Sequence, residues 1–157
     1  MSKQADVGEA MPTVAMTGAD GTPVAIGDFA GKPLVMFFYP KDDTPGCTTE
    51  NKDFSILAPT FAKAGVALLG VSKDPPAKHA KFVAKYGLVA PQASDAATGG
   101  LSDALGIWVE KSMYGRNYMG MERTTFLVDA GGKIARVWRK VKVTGHAAEV
   151  LEAAQNL

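Results

Sequence analysis

The stretch of the sequence that decides the fold is LVMFFYPKDDTPGCTTE, which runs from Leu34 to Glu50. Its first part, Leu34–Tyr39, is a continuous apolar run, which is typical of a central strand buried on both faces. A loop marked by proline and glycine follows from Pro40 to Gly46, and a helical pattern starts near Cys47. The stretch therefore predicts a buried strand, a short loop and a helix with Cys47 in its first turn.

The helical pattern continues beyond Cys47, because Phe54, Leu57, Ala58 and Phe61 recur at the spacing of one helix face. Pro59 falls inside this pattern. Proline removes a backbone donor and clashes with the preceding turn. We therefore expect either a kink at Pro59 or two successive helical segments.

The rest of the chain predicts further strands and helices in an order that alternates before it ends in a hairpin. Turn signals join strand pairs near both ends of the chain, and Gly87 follows the last residue of a helix that begins with proline. The predicted elements are an N-terminal hairpin (Thr13–Met16 and Pro23–Ile26), a buried strand (Val66–Val71), a helix capped by Asp74 with Pro75 or Pro76 in its first turn, a short helix (Leu101–Leu105), a polar loop, a hairpin (Thr124–Val128 and Ile134–Val141, joined by Asp129–Gly132) and a terminal helix (His146–Ala154).

This order predicts an α/β protein with a mixed central sheet, flanking helices and an N-terminal β-hairpin, which is what a thioredoxin-like fold requires. The length of 157 residues and the absence of linkers or repeats predict one domain over residues 1–157.

Composition and charge exclude several classes of function. The 17 basic and 16 acidic side chains nearly balance, so the sequence gives no reason to expect nucleic acid or an anionic membrane as a partner. No apolar run approaches the roughly 20 residues that span a bilayer. The N-terminal residues Met1–Gly8 lack a hydrophobic secretory core, which predicts a cytoplasmic protein.

The single cysteine limits the redox and metal chemistry. One cysteine rules out a disulfide within the chain, and with only His79 and His146 beside it no structural zinc site is expected. A Cys-x-x-Cys pair is also excluded, because Thr44 and Glu50 occupy the positions three residues away from Cys47. Any redox chemistry must therefore use the sulfur of Cys47.

Two interpretations of Cys47 remain from the residues alone. A lone cysteine is often a small buried hydrophobic residue. At a helix N-terminus, however, unpaired backbone N–H groups and the helix dipole favour thiolate over thiol. Gly46 lets a substrate approach the backbone closely, and the Thr44 hydroxyl can reach back toward the sulfur or a bound oxygen. The position at the carboxyl end of a central strand favours the functional interpretation.

The pattern Pro40-x-x-x-Thr44-x-x-Cys47 resembles the active-site motif of the peroxiredoxins. The longer string from Tyr39 to Glu50 is similar to the bacterioferritin comigratory protein, or Q-type, branch of that family. Three further stretches also resemble this branch, so that the resemblance covers nearly the whole chain: Gly70–Asp74, Glu110–Gly120 and Glu122–Asp129.

The resemblance implies an enzyme, a thiol-dependent peroxidase acting on hydrogen peroxide and organic hydroperoxides. Cys47 matches the peroxidatic cysteine, which becomes a sulfenic acid. Thr44 matches the hydroxyl that orients the peroxide. Arg123 matches the guanidinium that stabilises the thiolate and the charge that develops as the O–O bond breaks.

The resemblance also implies residues around the substrate. Pro40 matches the residue that shields the sulfur from solvent, and the backbone N–H groups of Gly46 and Cys47 would complete the peroxide pocket. Glu50 is implied as a supporting group behind them. No metal or organic cofactor is implied, because the sulfur itself carries the electrons.

The sequence departs from the family at the resolving cysteine. Many members of the Q-type branch carry it five residues after the peroxidatic cysteine, where this chain has Lys52, and others carry it in the next helix, where this chain has Val83. The resemblance therefore implies that an external thiol such as thioredoxin, glutaredoxin or glutathione resolves the sulfenic acid. It also favours a monomer or weak dimer.

Two other functions compete with the peroxidase. A redox sensor would pass the oxidation of Cys47 to a client protein, and a holdase chaperone would not use the thiol at all; neither explains Thr44 and Arg123 as well. His79 is interpreted as a packed or half-exposed side chain rather than a base. A methionine- and tyrosine-rich loop is expected to pack over the site rather than bind a partner: Met113, Tyr114, Tyr118, Met119 and Met121.

Overall fold

The computed structural model describes residues 4–96 and 99–157. Its strands and helices follow the predicted order, with three additional strands and a 3₁₀ turn. The strands are β1 (Met16–Gly18), β2 (Pro23–Val24), β3 (Leu34–Phe38), β4 (Ala67–Ser72), β5 (Gln92–Ser94), β6 (Trp108–Met113), β7 (Arg116–Met121), β8 (Thr124–Val128) and β9 (Ile134–Trp138); the helices are a 3₁₀ turn (Ile26–Phe29), α1 (Pro45–Lys63), α2 (Pro76–Tyr86), α3 (Leu101–Ala104) and α4 (His146–Gln155).

Seven strands form one mixed sheet in the order β2-β1-β5-β4-β3-β8-β9. Strand β3 pairs with β4 in parallel and with β8 in antiparallel, and β4 pairs with β5 in parallel. The mixed sheet with its helices confirms the predicted α/β, thioredoxin-like architecture.

Both faces of β3 are buried, which explains its continuous apolar sequence. Leu34, Met36 and Phe38 pack into a core with α3 and the N-terminal segment. Val35 and Phe37 pack into a second core that includes side chains of α1, α2 and α4. The C-terminal end of β3 thus lies between two packed layers, and the loop to Cys47 starts there.

Helix α1 is present where it was predicted. It begins at Pro45, two residues before Cys47, and it continues through Pro59 as one helix, which excludes the two separate segments that were one of the two expectations there. Pro45 suits the first helical position, where its missing N–H would have no helical partner. Phe54 and Phe61 lie on either side of Pro59 and are both fully buried in the same core, so tertiary packing outweighs the cost of the proline.

Asp74 does not cap helix α2, contrary to the prediction. The helix starts at Pro76, and no side chain caps it. The Asp74 carboxylate accepts hydrogen bonds from Ser72 Oγ at 2.5 Å and from the backbone N–H of Asp42 at 2.8 Å. It therefore ties the loop after β3 to the end of β4. Gly87, with a φ of 61°, ends the helix as predicted.

The methionine- and tyrosine-rich stretch is a β-hairpin, β6–β7, rather than a loop. Four of its five large side chains are exposed, and only Met121 is buried. The turn residues Tyr114 and Gly115 both have positive φ. Tyrosine rarely adopts this conformation, so the sequence carries no usual hairpin signal.

Several boundaries also moved. The N-terminal hairpin is present, but its first strand starts at Met16, and β9 ends at Trp138 instead of Val141. Part of the N-terminal stretch behind the cytoplasmic prediction, residues 1–3, lies outside the described residues. Within the described ranges, no helix has the length and apolar character needed to cross a membrane.

Candidate active site

Cys47 lies in the first turn of α1, two residues after Pro45. Thr44 precedes the helix with an extended backbone, and its carbonyl accepts a hydrogen bond from the N–H of Thr48 at 2.8 Å. The Cys47 side chain is only 1% exposed. The sulfur therefore sits beside the free N–H groups of a helix start, in a setting that excludes most solvent.

Arg123 approaches this sulfur from the strand that pairs with β3 in antiparallel. It directly precedes β8, whose Thr124 pairs with Phe38 at the end of β3, so the antiparallel register brings Arg123 to the end of the sheet where α1 begins. Its Nη2 donates to Cys47 Sγ at 3.4 Å. The structure thus brings together two of the predicted site residues that are 76 positions apart.

Glu50 holds the other arm of the same guanidinium. Arg123 Nη1 donates to Glu50 Oε1 at 2.6 Å. Burial raises the pKa of Glu50 to about 7, although Arg123 opposes this shift. Burial alone would lower the pKa of Arg123, but the charges of Glu50 and Cys47 raise it, so Arg123 stays protonated. A permanent positive charge therefore lies beside the sulfur.

Gly46 leaves room for this guanidinium. A Cβ atom placed on Gly46 would lie 3.2 Å from Arg123 Nη2, a distance at which the neighbour must move. The glycine is exposed, whereas Cys47 after it is buried. Its lack of a side chain therefore allows the guanidinium to lie close to the first turn of α1.

Thr44 and Pro40 stand close to the site in sequence, but with different contacts from those expected. The Thr44 hydroxyl donates to the carbonyl of Lys41 at 2.8 Å. Between these two described residues, the structure has no hydrogen bond from Thr44 Oγ1 to Cys47 Sγ. The oxygen lone pairs of the hydroxyl stay available to accept a hydrogen bond from a ligand. Pro40 is half-buried directly after Tyr39.

Sequence reasoning missed two residues at the site. Asn51 donates from Nδ2 to the carbonyl oxygen of Cys47 at 2.9 Å. Its spacing of four residues from Cys47 on a helix was an available signal. Lys111 on β6 is half-buried, and its pKa is lowered by burial and by the charge of Arg123. No sequence signal pointed to Lys111, because its strand was predicted as a loop.

The arrangement can stabilise an anionic sulfur and a negative charge that develops on an oxygen atom beside it. A fixed guanidinium and backbone donors are the groups suited to both tasks. In the part of the chain that the structure describes, no group of three or more histidine, cysteine, aspartate or glutamate side chains is arranged to hold a metal ion.

Comparisons with known proteins show the family to which the chain belongs. The model of the AhpC/TSA family matches residues 7–137. A Xanthomonas campestris protein, "Peroxiredoxin Bcp", is 49% identical over 133 residues, which cover 85% of this chain and 82% of that protein.

Two solved structures have nearly the same fold. A Xylella fastidiosa PrxQ C47S mutant has a TM-score of 0.91 at 36% identity, covering 99% of this chain and 98% of the other. A Xanthomonas campestris bacterioferritin comigratory protein, studied for its alkyl peroxide reduction activity, has a TM-score of 0.89 at 43% identity, covering 96% and 98%.

Proposed function

Because this chain belongs to the AhpC/TSA family and is a thiol-dependent peroxidase with a peroxidatic cysteine, we propose that Cys47 is that cysteine. Cys47 is the only cysteine in the sequence. The observation that carries the proposal is the 3.4 Å contact between its buried Sγ and Arg123 Nη2. The redox sensor considered as an alternative is not favoured.

The reaction follows from the chemistry of a thiolate. Cys47 Sγ attacks the terminal oxygen of the peroxide, an S–O bond forms and the O–O bond breaks. The sulfur is oxidised to a sulfenic acid, Cys–SOH. The departing oxygen takes the electron pair of the O–O bond, accepts a proton and leaves as water or an alcohol.

Arg123 is proposed to stabilise both the thiolate and the departing oxygen, while Glu50 holds its guanidinium in place. A planar fork with two arms suits this task, because one arm binds the carboxylate and the other faces the sulfur. Thr44 is proposed to orient the peroxide, because its hydroxyl oxygen can accept a hydrogen bond from the peroxide O–H. Gly46 would offer its backbone N–H to the peroxide, and Pro40 would limit the access of water.

We propose that the sulfenic acid is resolved by an external thiol. Positions 52 and 83 carry lysine and valine, so the chain has no second thiol. One external thiol displaces water to form a mixed disulfide, and a second thiol reduces it back to Cys47. The candidate reductants remain thioredoxin, glutaredoxin and glutathione. The substrates proposed are hydrogen peroxide and organic hydroperoxides; the similar Xanthomonas campestris protein studied for alkyl peroxide reduction supports the latter.

We further propose that residues 1–157 form one domain, that the protein acts in the cytoplasm, and that it is a monomer or weak dimer. The two cores share the same central sheet, which supports one domain. The resemblance to the Q-type branch supports the oligomeric state.

Stopped-flow oxidation of the reduced protein by hydrogen peroxide tests the central proposal. We expect a second-order rate far above that of free cysteine, lost in Cys47→Ser. A rate near that of free cysteine would contradict it.

A further inference from the structure

A row of buried polar side chains connects the loop after β3 to the carbonyl oxygen of Cys47. It contains Asp42, Tyr39, Gln92 and Asn51, each at most 3% exposed. These residues come from the end of β3, the loop, β5 and α1. Such a set is costly to bury unless every member is hydrogen-bonded, so its arrangement calls for a physical explanation. We refer to these four residues as the polar row.

The contacts within the polar row are continuous and short. The Tyr39 hydroxyl oxygen lies 2.6 Å from Asp42 Oδ1 and 2.6 Å from Gln92 Oε1. Gln92 Nε2 donates to Asn51 Oδ1 at 2.7 Å. Asn51 Nδ2 donates to the carbonyl oxygen of Cys47 at 2.9 Å. The last contact adds a second donor to a carbonyl that already accepts the helical N–H of Asn51.

The directions of these bonds follow from counting donors. The Gln92 amide has one satisfactory orientation, because its Nε2 faces two acceptors, Asn51 Oδ1 and the Ala90 carbonyl. Gln92 Oε1 must therefore accept, and the Tyr39 hydroxyl supplies the proton. The same hydroxyl also donates to Asp42 Oδ1, so its single proton is shared between two acceptors. From Tyr39 through Gln92 to Asn51, each donor points toward Cys47.

His79 lies against the other oxygen of the same carboxyl group. Its Nδ1 is 2.7 Å from Asp42 Oδ2, and the ring is fully buried. The loop around Asp42 is also fixed, because its backbone N–H donates to Asp74 Oδ2. The far end of the polar row is thus anchored by Asp74, in the loop after β4, and by His79 on α2.

Gly70 provides the space in which Gln92 lies. A Cβ atom on Gly70 would be 2.7 Å from Gln92 Oε1 and 2.8 Å from Cζ of Phe37. Both distances are shorter than real side-chain contacts, so no larger residue fits here without displacing the amide or the ring. The position of Gln92 is therefore built into the sheet independently of its hydrogen bonds.

We propose that Tyr39, Gln92 and Asn51 are positioning residues for peroxide reduction, which act by holding the first turn of α1 through the carbonyl of Cys47. The inference rests on the proposed role of Cys47. The sulfur is set against Arg123 only while this turn keeps its geometry, and a small misplacement of a reacting atom is costly. The polar row contacts this turn at the carbonyl oxygen of Cys47, whereas Arg123, which precedes β8, contacts the sulfur.

Loosening the row should change two rates in opposite directions. Peroxide reduction needs the ordered turn, with Sγ beside Arg123, and should slow down. Alkylation by a bulky reagent such as N-ethylmaleimide needs the 1% exposed side chain to become accessible, and should speed up. A variant that was only destabilised as a whole would not combine slower oxidation with faster alkylation while its secondary structure stayed unchanged.

The test compares Tyr39→Phe with Tyr86→Phe. Both variants remove one phenolic hydroxyl that contacts an aspartate, but Tyr86 contacts Asp43 on the exposed side of the loop and lies outside the row. Stopped-flow oxidation by hydrogen peroxide and alkylation by N-ethylmaleimide are measured for each. We expect Tyr39→Phe to slow oxidation by about tenfold or more while alkylation accelerates, and Tyr86→Phe to leave both rates unchanged.

Unchanged oxidation in a folded Tyr39→Phe variant, or oxidation and alkylation that fall together, would overturn the inference. If Tyr39→Phe does not fold, Asn51→Asp replaces it, since it keeps the shape but loses the donor to Cys47, and the same opposed pattern is required. A wild-type oxidation rate near that of free cysteine would overturn the proposed function and this inference together. A fast wild type with an equally fast Tyr39→Phe variant overturns the positioning role alone.

Discussion

Glu50 and Arg123 form an ion pair, with 2.6 Å between Oε1 and Nη1, whose carboxylate is 1% exposed. The second arm of the guanidinium points at Cys47 Sγ. One side chain therefore joins a buried carboxylate to the sulfur, and the orientation of Arg123 depends on both partners. Replacing Arg123 should therefore change the rate of peroxide reduction, and replacing Glu50 should change how the stability of the protein depends on pH.

Replacement of Arg123 by alanine or lysine is expected to slow peroxide reduction by on the order of 10²-fold or more. An ammonium group cannot bind the carboxylate and face the sulfur with two separate arms. The second-order rate with hydrogen peroxide measures the effect, and circular dichroism checks the fold. Arg116→Lys, on exposed β7, is the matched control and should keep the wild-type rate. A folded Arg123→Ala variant that reacts at the wild-type rate would show that Arg123 is only structural.

Glu50 should make the protein less stable as the pH rises from about 4.5 to about 7. Its pKa is raised to about 7 in the folded protein by burial, so the folded state binds the proton more tightly than the unfolded state. Its favourable contribution is complete below the ordinary pKa and is lost as the pH rises through the folded one. The shift corresponds to about 3 kcal/mol.

Chemical denaturation of the wild type and Glu50→Gln at several pH values isolates this contribution, since the other groups titrate equally in both. The difference in unfolding free energy between the two proteins should change between about pH 4.5 and about pH 7, and it should be constant below that range. An unvarying difference between pH 4 and 8 would show that Glu50 has an ordinary pKa.

Gly46→Ala should reduce the peroxidase rate with little loss of stability. The added methyl group would lie 3.2 Å from Arg123 Nη2, and Glu50 prevents the guanidinium from moving away freely. Gly27→Ala is a suitable control, because nothing lies within 4 Å of a Cβ atom at that position. Stopped-flow oxidation by hydrogen peroxide measures the rate of both variants. Equal rates for Gly46→Ala and the wild type would mean that the glycine is not needed for the position of Arg123.

The sequence predicted the strand, loop and helix around Cys47 because each local signal there agrees with the tertiary structure. The run Leu34–Tyr39 is apolar on both faces, and the loop ends with Pro45 at a helix start. Arg123 could be assigned only through the family resemblance, because its approach to Cys47 depends on the register between β3 and β8. Local patterns do not encode that register.

Tertiary contacts also decide the features that the local sequence left open or did not show. Pro59 predicts either a kink or two segments, and the burial of Phe54 and Phe61 on either side of it keeps one helix. The polar row could not be foreseen, since Asn51 and Gln92 are 41 positions apart and meet only because Gly70 makes room between the strands. Polar residues in a buried network carry no periodic signal.

His146 should destabilise the protein as the pH falls from about 6.5 to about 4. Burial, the largest cause, lowers the pKa of His146 to about 4 in the folded protein, and its Nε2 lies 2.8 Å from Thr125 Oγ1. The unfolded state therefore gains the proton first, and stability is lost as the pH falls through this window. The melting temperature of His146→Gln should depend less on pH there than that of the wild type. Parallel melting curves would contradict the assignment.

Cys47 should turn over without a second thiol in the chain. After peroxide treatment the protein should carry a sulfenic acid at Cys47 and, once a thiol is added, a mixed disulfide. Without reductant, excess peroxide should oxidise it further to the sulfinic acid, because no thiol in the chain can trap the intermediate. Intact-mass spectra should show the addition of one oxygen atom and then of two, and glutathione added early should replace them with one glutathione adduct.

The competing outcome is a disulfide between the Cys47 residues of two molecules. The 1% exposure of Cys47 argues against it, because two sulfurs buried in separate helix starts cannot reach bonding distance unless both turns open. A non-reducing gel distinguishes the two cases, since the dimer would migrate as a covalent species. Lys52→Cys provides a positive control for trapping, because it restores a thiol at the position where many members of the Q-type branch carry one. If the wild type formed the dimer quantitatively and thioredoxin reduced it at the full turnover rate, resolution would occur between subunits and the external-thiol mechanism would be wrong.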